Sequence, residues 1–514
     1  MHHYGKDHLT ASSALALARG DMQGTIDRET AERIEANAAV VRTIAAGEAA
    51  VYGINTGFGP LCNTKIDKSQ TTLLQRNILL SHSVGTGDPL PEETVRLMMH
   101  LKLHGLAQGH SGIELNILKR IQQMLELGII PVVPSQGSVG ASGDLAPLAH
   151  LFAPLVGEGE VIYEGKRQVT GAALRSAGLE PIELGPKSGL ALINGTQFIS
   201  AHAVLAVEKM RNLLDHADLC AALMIEGLLG SKMPFRAELH RTRPYPANQF
   251  VAARIYRWLD GSEIGQSHAD CDRVQDPYSL RCVPQVHGTS RTAWAHLRDL
   301  TEIEINSVTD NPVVFSEELT ISGGNFHGQP LALPIDYATL AASELGNISD
   351  RRIYFSLDGK VNGTPKLLMD NTGVNSGFMM LQYTSAALAS ENKTLCFPAS
   401  ADSITTSLGQ EDHVSMGSIG GRKLLRVLDN LERILAVELV CACQALDFRR
   451  PLRSTPPLEA AHALVRERIP HADADRIFAE DIEAARQIIR SGTLRKLTNE
   501  SNDHSEDLAH FDSY

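Results

Sequence analysis

Leu424-Leu-Arg-Val-Leu-Asp-Asn-Leu-Glu-Arg-Ile-Leu-Ala-Val-Glu-Leu439 carries Leu424, Val427, Leu428, Leu431, Leu435 and Leu439 at three- and four-residue steps, with Arg426, Asp429, Asn430 and Glu432 between them. This spacing predicts one helix with a wide apolar stripe that other helices must cover. Similar patterns run near residues 202–229, 286–305, 331–356 and 376–395. Five long helices with few strands between them imply a bundle. The expected fold is therefore mainly α: a long-helix bundle over residues 201–495, behind a smaller mixed α/β region over residues 1–200. The most apolar late stretch, Ile434 to Leu446, is interrupted by Glu438 and is shorter than the ~18 residues a membrane span needs. The start of the chain lacks a basic segment followed by an apolar run, so neither a span nor a targeting segment is expected.

Working outward, Thr10 precedes the run Ser13-Ala-Leu-Ala-Leu17 as a helix cap. Val161-Ile162-Tyr163, Glu164-Gly165 and Arg167-Gln168-Val169 read as a small hairpin, and Val313-Val314-Phe315 with Leu319-Thr320-Ile321 as a second. Residues 496–514 hold acids and little that could form a core, which predicts a polar, mobile tail. No internal repeat is apparent.

The 514 residues suffice for a large core, and with 43% hydrophobic but only 5% aromatic residues that core must be mostly Leu, Ile, Val and Ala. Disorder and collagen-like fibres are thereby excluded. Lys and Arg total 47 against 60 Asp and Glu, a net charge of −13 with no long basic run, which argues against nucleic acid or an anionic membrane as partner. The seven cysteines, Cys62, Cys220, Cys271, Cys282, Cys396, Cys441 and Cys443, are scattered and include no C-x-x-C pair. They read as reduced thiols of a cytoplasmic protein.

The segment richest in chemical information is Pro134-Ser-Gln-Gly-Ser-Val-Gly-Ala-Ser-Gly-Asp-Leu-Ala-Pro147. Its glycines invite a phosphate-loop reading, but neither G-x-x-x-x-G-K-[ST] nor G-x-G-x-x-G is present. A tight turn before a helix starting near Asp144 is the plain structural alternative. The order Ala141-Ser142-Gly143 permits something else. If the Gly143 nitrogen is pressed onto the Ala141 carbonyl, a five-membered ring can close, and loss of water there and from the Ser142 side chain leaves a methylidene-imidazolone. Gly143 lacks a Cβ, so the contorted backbone this needs is accessible.

Gly137-Ser-Val-Gly-Ala-Ser-Gly-Asp-Leu-Ala-Pro-Leu-Ala149 closely resembles the signature of the aromatic amino acid ammonia-lyases, which build that group from Ala-Ser-Gly. The resemblance extends through Tyr52-Gly-Ile-Asn-Thr-Gly-Phe-Gly59, Leu192-Ile-Asn-Gly-Thr-Gln197, Gln275-Asp-Pro-Tyr-Ser-Leu-Arg-Cys282, Asp310-Asn-Pro312, Gly323-Gly-Asn-Phe-His327 and Gln410-Glu-Asp-His-Val-Ser-Met416. It covers about residues 50 to 490 and implies an ammonia-lyase-like fold. It also implies a homotetramer whose sites combine residues of more than one subunit, a small amino-acid substrate, and no dissociable cofactor, pyridoxal phosphate included.

By the same resemblance Tyr52 and Tyr278 are the two candidates for the base that removes the β-proton, and the choice between them stays open. A tyrosine ordinarily ionises near pH 10, so the base requires helix N-termini or a cation beside it. Arg281 is suited to two-point capture of the substrate carboxylate. Asn194 and Gln275 would orient the prosthetic group or that carboxylate, and Phe326 would pack over the site.

Ser81-His82 and Glu411 resemble the histidine-acting branch, and the expected reaction is L-histidine to trans-urocanate and ammonia. An imidazole offers two nitrogens, so a carboxylate can accept from one and hold the ring in register. Read singly, Glu411 is equally well a helix-start cap and His82 a satisfied buried imidazole. Cys396-Phe397-Pro398, Ser400-Ala401-Asp402-Ser403 and Gly409-Gln410-Glu411-Asp412 depart from that branch, which reads Ser-His-Pro, Ser-Val-Asp-Ser and Asn-Gln-Glu-Asp. The alternatives are a related lyase or aminomutase acting on another aromatic amino acid, and a non-catalytic helical assembly protein. His100 and His104 stand one helical turn apart, but Leu101 occupies the place of the Glu in H-E-x-x-H, so they are read as helix-surface residues and no metal is expected.

Overall fold

Two helices of 31 residues, Gln197–Gly227 and Gly417–Asp447, pack along each other at the centre of the molecule in a computed structural model that describes residues 1–59, 66–269, 273–499 and 510–511. Val283–Ile305 and Gln329–Leu357 pack on this pair, and Met379–Leu395 closes the far side against Gln329–Leu357 and Gly417–Asp447. All five periodic stretches are helical. Leu424, Val427, Leu428, Leu431, Leu435 and Leu439 are fully buried, as a stripe covered by neighbouring helices must be. Glu438, which interrupts the apolar run, is also buried; it pairs with Arg352 and accepts from Ser349 Oγ at 2.5 Å, so its charge is compensated within the bundle. No helix among the described residues is long and apolar enough to cross a membrane.

The first 200 residues join the same core. Thr10 caps Ala11–Arg19, its hydroxyl accepting from Ser13 N at 3.1 Å. Glu92–Ala107 packs against both that helix and Gln197–Gly227, and one apolar cluster runs from Tyr4 to Phe511. The boundary near residue 200 thus falls inside a continuous helix. Both expected hairpins form. Glu160–Tyr163 pairs with Lys166–Val169, adding Ile130–Pro131 as a third strand, and Val313–Val314 pairs with Thr320–Ile321.

Two expectations are corrected. His100 and His104 are buried, not on the helix surface: Tyr4 Oη lies 2.7 Å from His100 Nδ1, and His104 Nδ1 lies 3.2 Å from His2 Nε2. The reason is that residues 1–9 run across this face of Glu92–Ala107, a long-range contact that helical periodicity does not encode. Of the segment read as a mobile tail, His510 and Phe511 are docked on the body. The Phe511 carbonyl accepts from Arg291 at 3.1 Å and the His510 carbonyl from Arg298 at 2.8 Å, while the Phe511 ring lies against Phe250. Residues 500–509 and 512–514 lie outside the described residues, as do Cys62 and Cys271. The other five cysteines are free thiols.

Candidate active site

The loop 137–143 is held between the N-termini of the two central helices. On one side, Asp144 Oδ2 accepts from the backbone nitrogens of Phe198 and Ile199, both at 3.0 Å, so it caps Gln197–Gly227. On the other, Ser418 Oγ donates to the Ser138 carbonyl at 2.6 Å, Ser415 Oγ to the Gly140 carbonyl at 3.0 Å, and Met416 N to the Val139 carbonyl at 2.9 Å. Asp144 is fully buried, and burial pushes its carboxyl up to about 7 against the pull of these donors and of Ser138 Oγ.

Gly143 is in the left-handed region at φ +73°, paired with Gly195, and Asp144 N donates to the Gly195 carbonyl at 2.7 Å. A Cβ on Gly143 would stand 2.0 Å from that carbonyl oxygen, so no other residue fits there. The Ser142 carbonyl accepts from Asn194 Nδ2 at 2.9 Å. Asn194 is buried, and its own side-chain oxygen has no partner among the described residues. On the open side, Ser142 Oγ donates to Glu411 Oε1 at 2.6 Å, and Glu411 Oε2 accepts from Thr406 Oγ1 at 2.8 Å.

Two adjoining cavities of about 790 and 840 Å³ share Tyr52, Gly59, Ser142, Asn194 and Glu411 in their walls. The first is the more apolar, lined also by Phe58, Ile78, His82, Leu145, Leu190 and Leu408; the second holds Ala141, Phe326, His327 and His413. His82 ends the helix Thr71–His82 with its ring 3.0 Å from Ser81 Oγ. Burial lowers its basicity, which Glu411 partly restores. The helix-cap reading of Glu411 is not met, since Gly417–Asp447 starts six residues later; the departures at Cys396, Phe397, Ala401 and Gly409 all lie outside the two cavity walls.

Tyr52, His82, Ala141, Ser142, Asn194, Phe326 and Glu411 are therefore brought together. Gln275, Tyr278 and Arg281 are not. Gln275 and Tyr278 line a separate cleft of about 1140 Å³ with Phe355, Asn362 and Arg449, and Arg281 is bonded beside it. There Arg281 Nη2 donates to Gln275 Oε1 at 2.8 Å, its Nε donates to the Asp276 carbonyl at 2.9 Å, and its guanidinium lies 4.7 Å from the Tyr278 ring centre. Tyr278 is 71% exposed.

Sequence reasoning gave no role to Lys102, Asp144, Lys187 or Asp310, which form a buried polar floor beneath the loop. Lys187 Nζ pairs with Asp310 Oδ2 at 2.7 Å, and Lys102 Nζ donates to the Asn194 carbonyl at 2.5 Å. One signal was available: Lys102 is the lone cation in the apolar run Leu97 to Leu106.

Residues 9–467 match the family model described as aromatic amino acid lyase. The chain is 47% identical over 489 residues to a histidine ammonia-lyase of Myxococcus xanthus, covering 95% of this chain and 96% of that protein. Among solved structures, a histidine ammonia-lyase from Trypanosoma cruzi superposes with a TM-score of 0.89 at 41% identity, over 98% of this chain and 95% of that one. A tyrosine aminomutase from Streptomyces globisporus superposes with a TM-score of 0.91 at 34% identity, over 98% and 100%.

Proposed function

The chain belongs to the aromatic amino acid lyase family, and from that premise we propose that it eliminates ammonia from L-histidine to give trans-urocanate. The observation that carries this reading is the convergence of His82 and Glu411 on Ser142 in one cavity wall. Two imidazole nitrogens of a substrate can be met there by an acceptor and by a ring of matching polarity, whereas a hydrocarbon ring would leave the Glu411 carboxylate without a partner. The curated relatives at 47% identity are named for histidine, against 34% for the tyrosine aminomutase, which supports the same choice.

Ala141, Ser142 and Gly143 fit a methylidene-imidazolone formed from their own backbone: the left-handed Gly143, its contact with Gly195 and the Asn194 donor on the Ser142 carbonyl are the features ring closure requires. That group supplies an electrophile that no encoded side chain offers. The remaining work falls to the chain's own residues. Asn194 keeps an unpartnered oxygen for a donor on the substrate. Loss of the Ser142 hydroxyl frees Glu411 Oε1 to accept from the imidazole. Tyr52 stands in the wall beside Ser142 as a candidate to hold the β-proton, and Phe326 covers the second cavity. Arg281, with its planar fork, takes the substrate carboxylate, steadied by Gln275 and adjacent to Tyr278, the other candidate base.

Because the cleft of Gln275 and Tyr278, with Arg281 beside it, is separate from the Ser142 cavity in one chain, the complete site needs a second copy, which accords with a homotetramer. The scattered free thiols accord with the cytoplasm. Turnover of a panel of histidine, tyrosine and phenylalanine tests the reading: histidine is expected to be eliminated fastest, and faster turnover of either other substrate overturns it.

A further inference from the structure

Beneath the reactive loop lies a cation that the proposed elimination does not use. Lys102 sits in the middle of Glu92–Ala107 and is 2% exposed. Its ammonium donates to the main-chain oxygen of Asn194 at 2.5 Å and to Gln197 Oε1 at 3.4 Å. Neither partner is a carboxylate, and the nearby acid Asp310 is already paired with Lys187. An ammonium buried without an acid is costly, and here the cost is concentrated at one point.

That point is the junction of two helices. Ser188–Ile193 ends at Asn194, whose backbone is extended at φ −86°, ψ 131°, and Gln197–Gly227 begins three residues on. The last carbonyls of a helix have no partner within it, so a cation there both satisfies the Asn194 oxygen and opposes the helix dipole. The same two residues, Asn194 and Gly195, hold the reactive loop: the Asn194 amide donates to the Ser142 carbonyl, and Gly195 is paired with Gly143. Lys102 thus grips the back of the segment whose front grips Ser142 and Gly143. Burial pushes its ammonium down to about 7, which marks how far the site departs from a solvated lysine.

We propose that Lys102 is a positioning residue for prosthetic-group formation, fixing Asn194-Gly195 so that the Gly143 nitrogen is held against the Ala141 carbonyl. The inference rests on the reading of Ala141-Ser142-Gly143 as the ring precursor. It adds no reactant: the Gly143 nitrogen bonds to the Ala141 carbonyl carbon, that oxygen leaves as water with the hydrogens of the Gly143 and Ser142 backbone nitrogens, and the Ser142 hydroxyl leaves with its α-proton as a second water.

The intact mass of newly synthesised chains, followed in time, separates the two claims. Wild-type chain becomes two waters lighter; if it keeps both waters, the ring reading itself falls. With wild-type condensation established, Lys102→Met is expected to fold, since no acid is orphaned, and to condense about ten- to a hundredfold more slowly. Histidine turnover should rise only in step with the condensed fraction, and KM of that fraction should match wild type. Lys102→Arg, which keeps a charged donor, should condense faster than Lys102→Met. If Lys102→Met does not accumulate as folded protein, the same ordering is read between Lys102→Arg and Lys102→Gln. Condensation of the Met variant at the wild-type rate, or an Arg variant no faster than the uncharged one, overturns the proposal.

Discussion

The Ser142 pocket and the Tyr278–Arg281 cleft are built in opposite ways. Around Ser142, backbone is pinned from several distant segments: Gly143 pairs with Gly195, the Asp144 carboxylate caps one central helix, and the hydroxyls of Ser415 and Ser418 at the start of the other hold the loop carbonyls. By the cleft, Tyr278 and Arg281 sit on the four-residue helix Tyr278–Arg281, and among the described residues Arg281 donates to its own neighbours Gln275 and Asp276. The contrast teaches that, on the proposed reading, the half of the site that builds the prosthetic group and meets the substrate ring is held within one chain, while the half that takes the substrate carboxylate would be completed by contact with another copy.

The largest expected effect lies on the pinned side. Ser142→Ala removes the hydroxyl whose loss completes the electrophile, and turnover should fall about a thousandfold or more while the chain keeps its full mass. Near-normal turnover would mean that this pocket is not the reacting half. On the open side, Arg281→Lys replaces a planar two-point contact by a single point charge, and kcat/KM should drop roughly a hundredfold with condensation untouched. The two variants together test the division directly. Co-expressed Ser142→Ala and Arg281→Lys chains should recover about a quarter of wild-type turnover if the halves meet between copies, because random assembly leaves that share of sites intact. No recovery would place both halves in one chain.

Glu411→Gln keeps size and removes charge from the bond to the imidazole, so histidine turnover should fall about ten- to a hundredfold. Residual activity toward phenylalanine should not fall in parallel, and an equal loss for both substrates would make Glu411 a general support of the pinned wall. The smallest effect concerns acid. Burial pushes His100 and His104, beneath the N-terminal residues, down to about 4, below the ~6.5 of an unfolded histidine. Between those values the unfolded chain binds more protons, so stability present above about pH 6.5 should be lost as pH falls toward 4. Hydrogen exchange should quicken first in residues 1–9; equal quickening in Gln197–Gly227 would refute a local origin.

Helical periodicity was enough to place all five bundle helices, because each buries one continuous stripe and the stripe is written in the chain at the helical period. The loop was legible for a different reason: the run Gly137 to Ala149 resembles a family signature, and the order Ala141-Ser142-Gly143 within it permits a backbone ring that bulkier residues would block. Lys102 and Asp144 were not legible as parts of the site. Lys102 stands out as a lone cation in an apolar run, but what gives it meaning is the Asn194 carbonyl, which arrives from a distant segment. The family resemblance implied sites shared between subunits, but which residues fall apart in one chain was not legible: the motif Gln275 to Cys282 does not encode its distance from Ser142.

The clamp on residues 137–143 also sets an order of events in biosynthesis. The Ser418 hydroxyl that holds the Ser138 carbonyl is 280 positions further along the chain, and a ribosome exposes the loop long before that helix exists. A nascent or misfolded molecule therefore has Ala141, Ser142 and Gly143 as ordinary peptide, inert toward the amines and thiols around it. On the proposed reading, reactivity is switched on by completion of the bundle, so the missing waters would count finished molecules one by one.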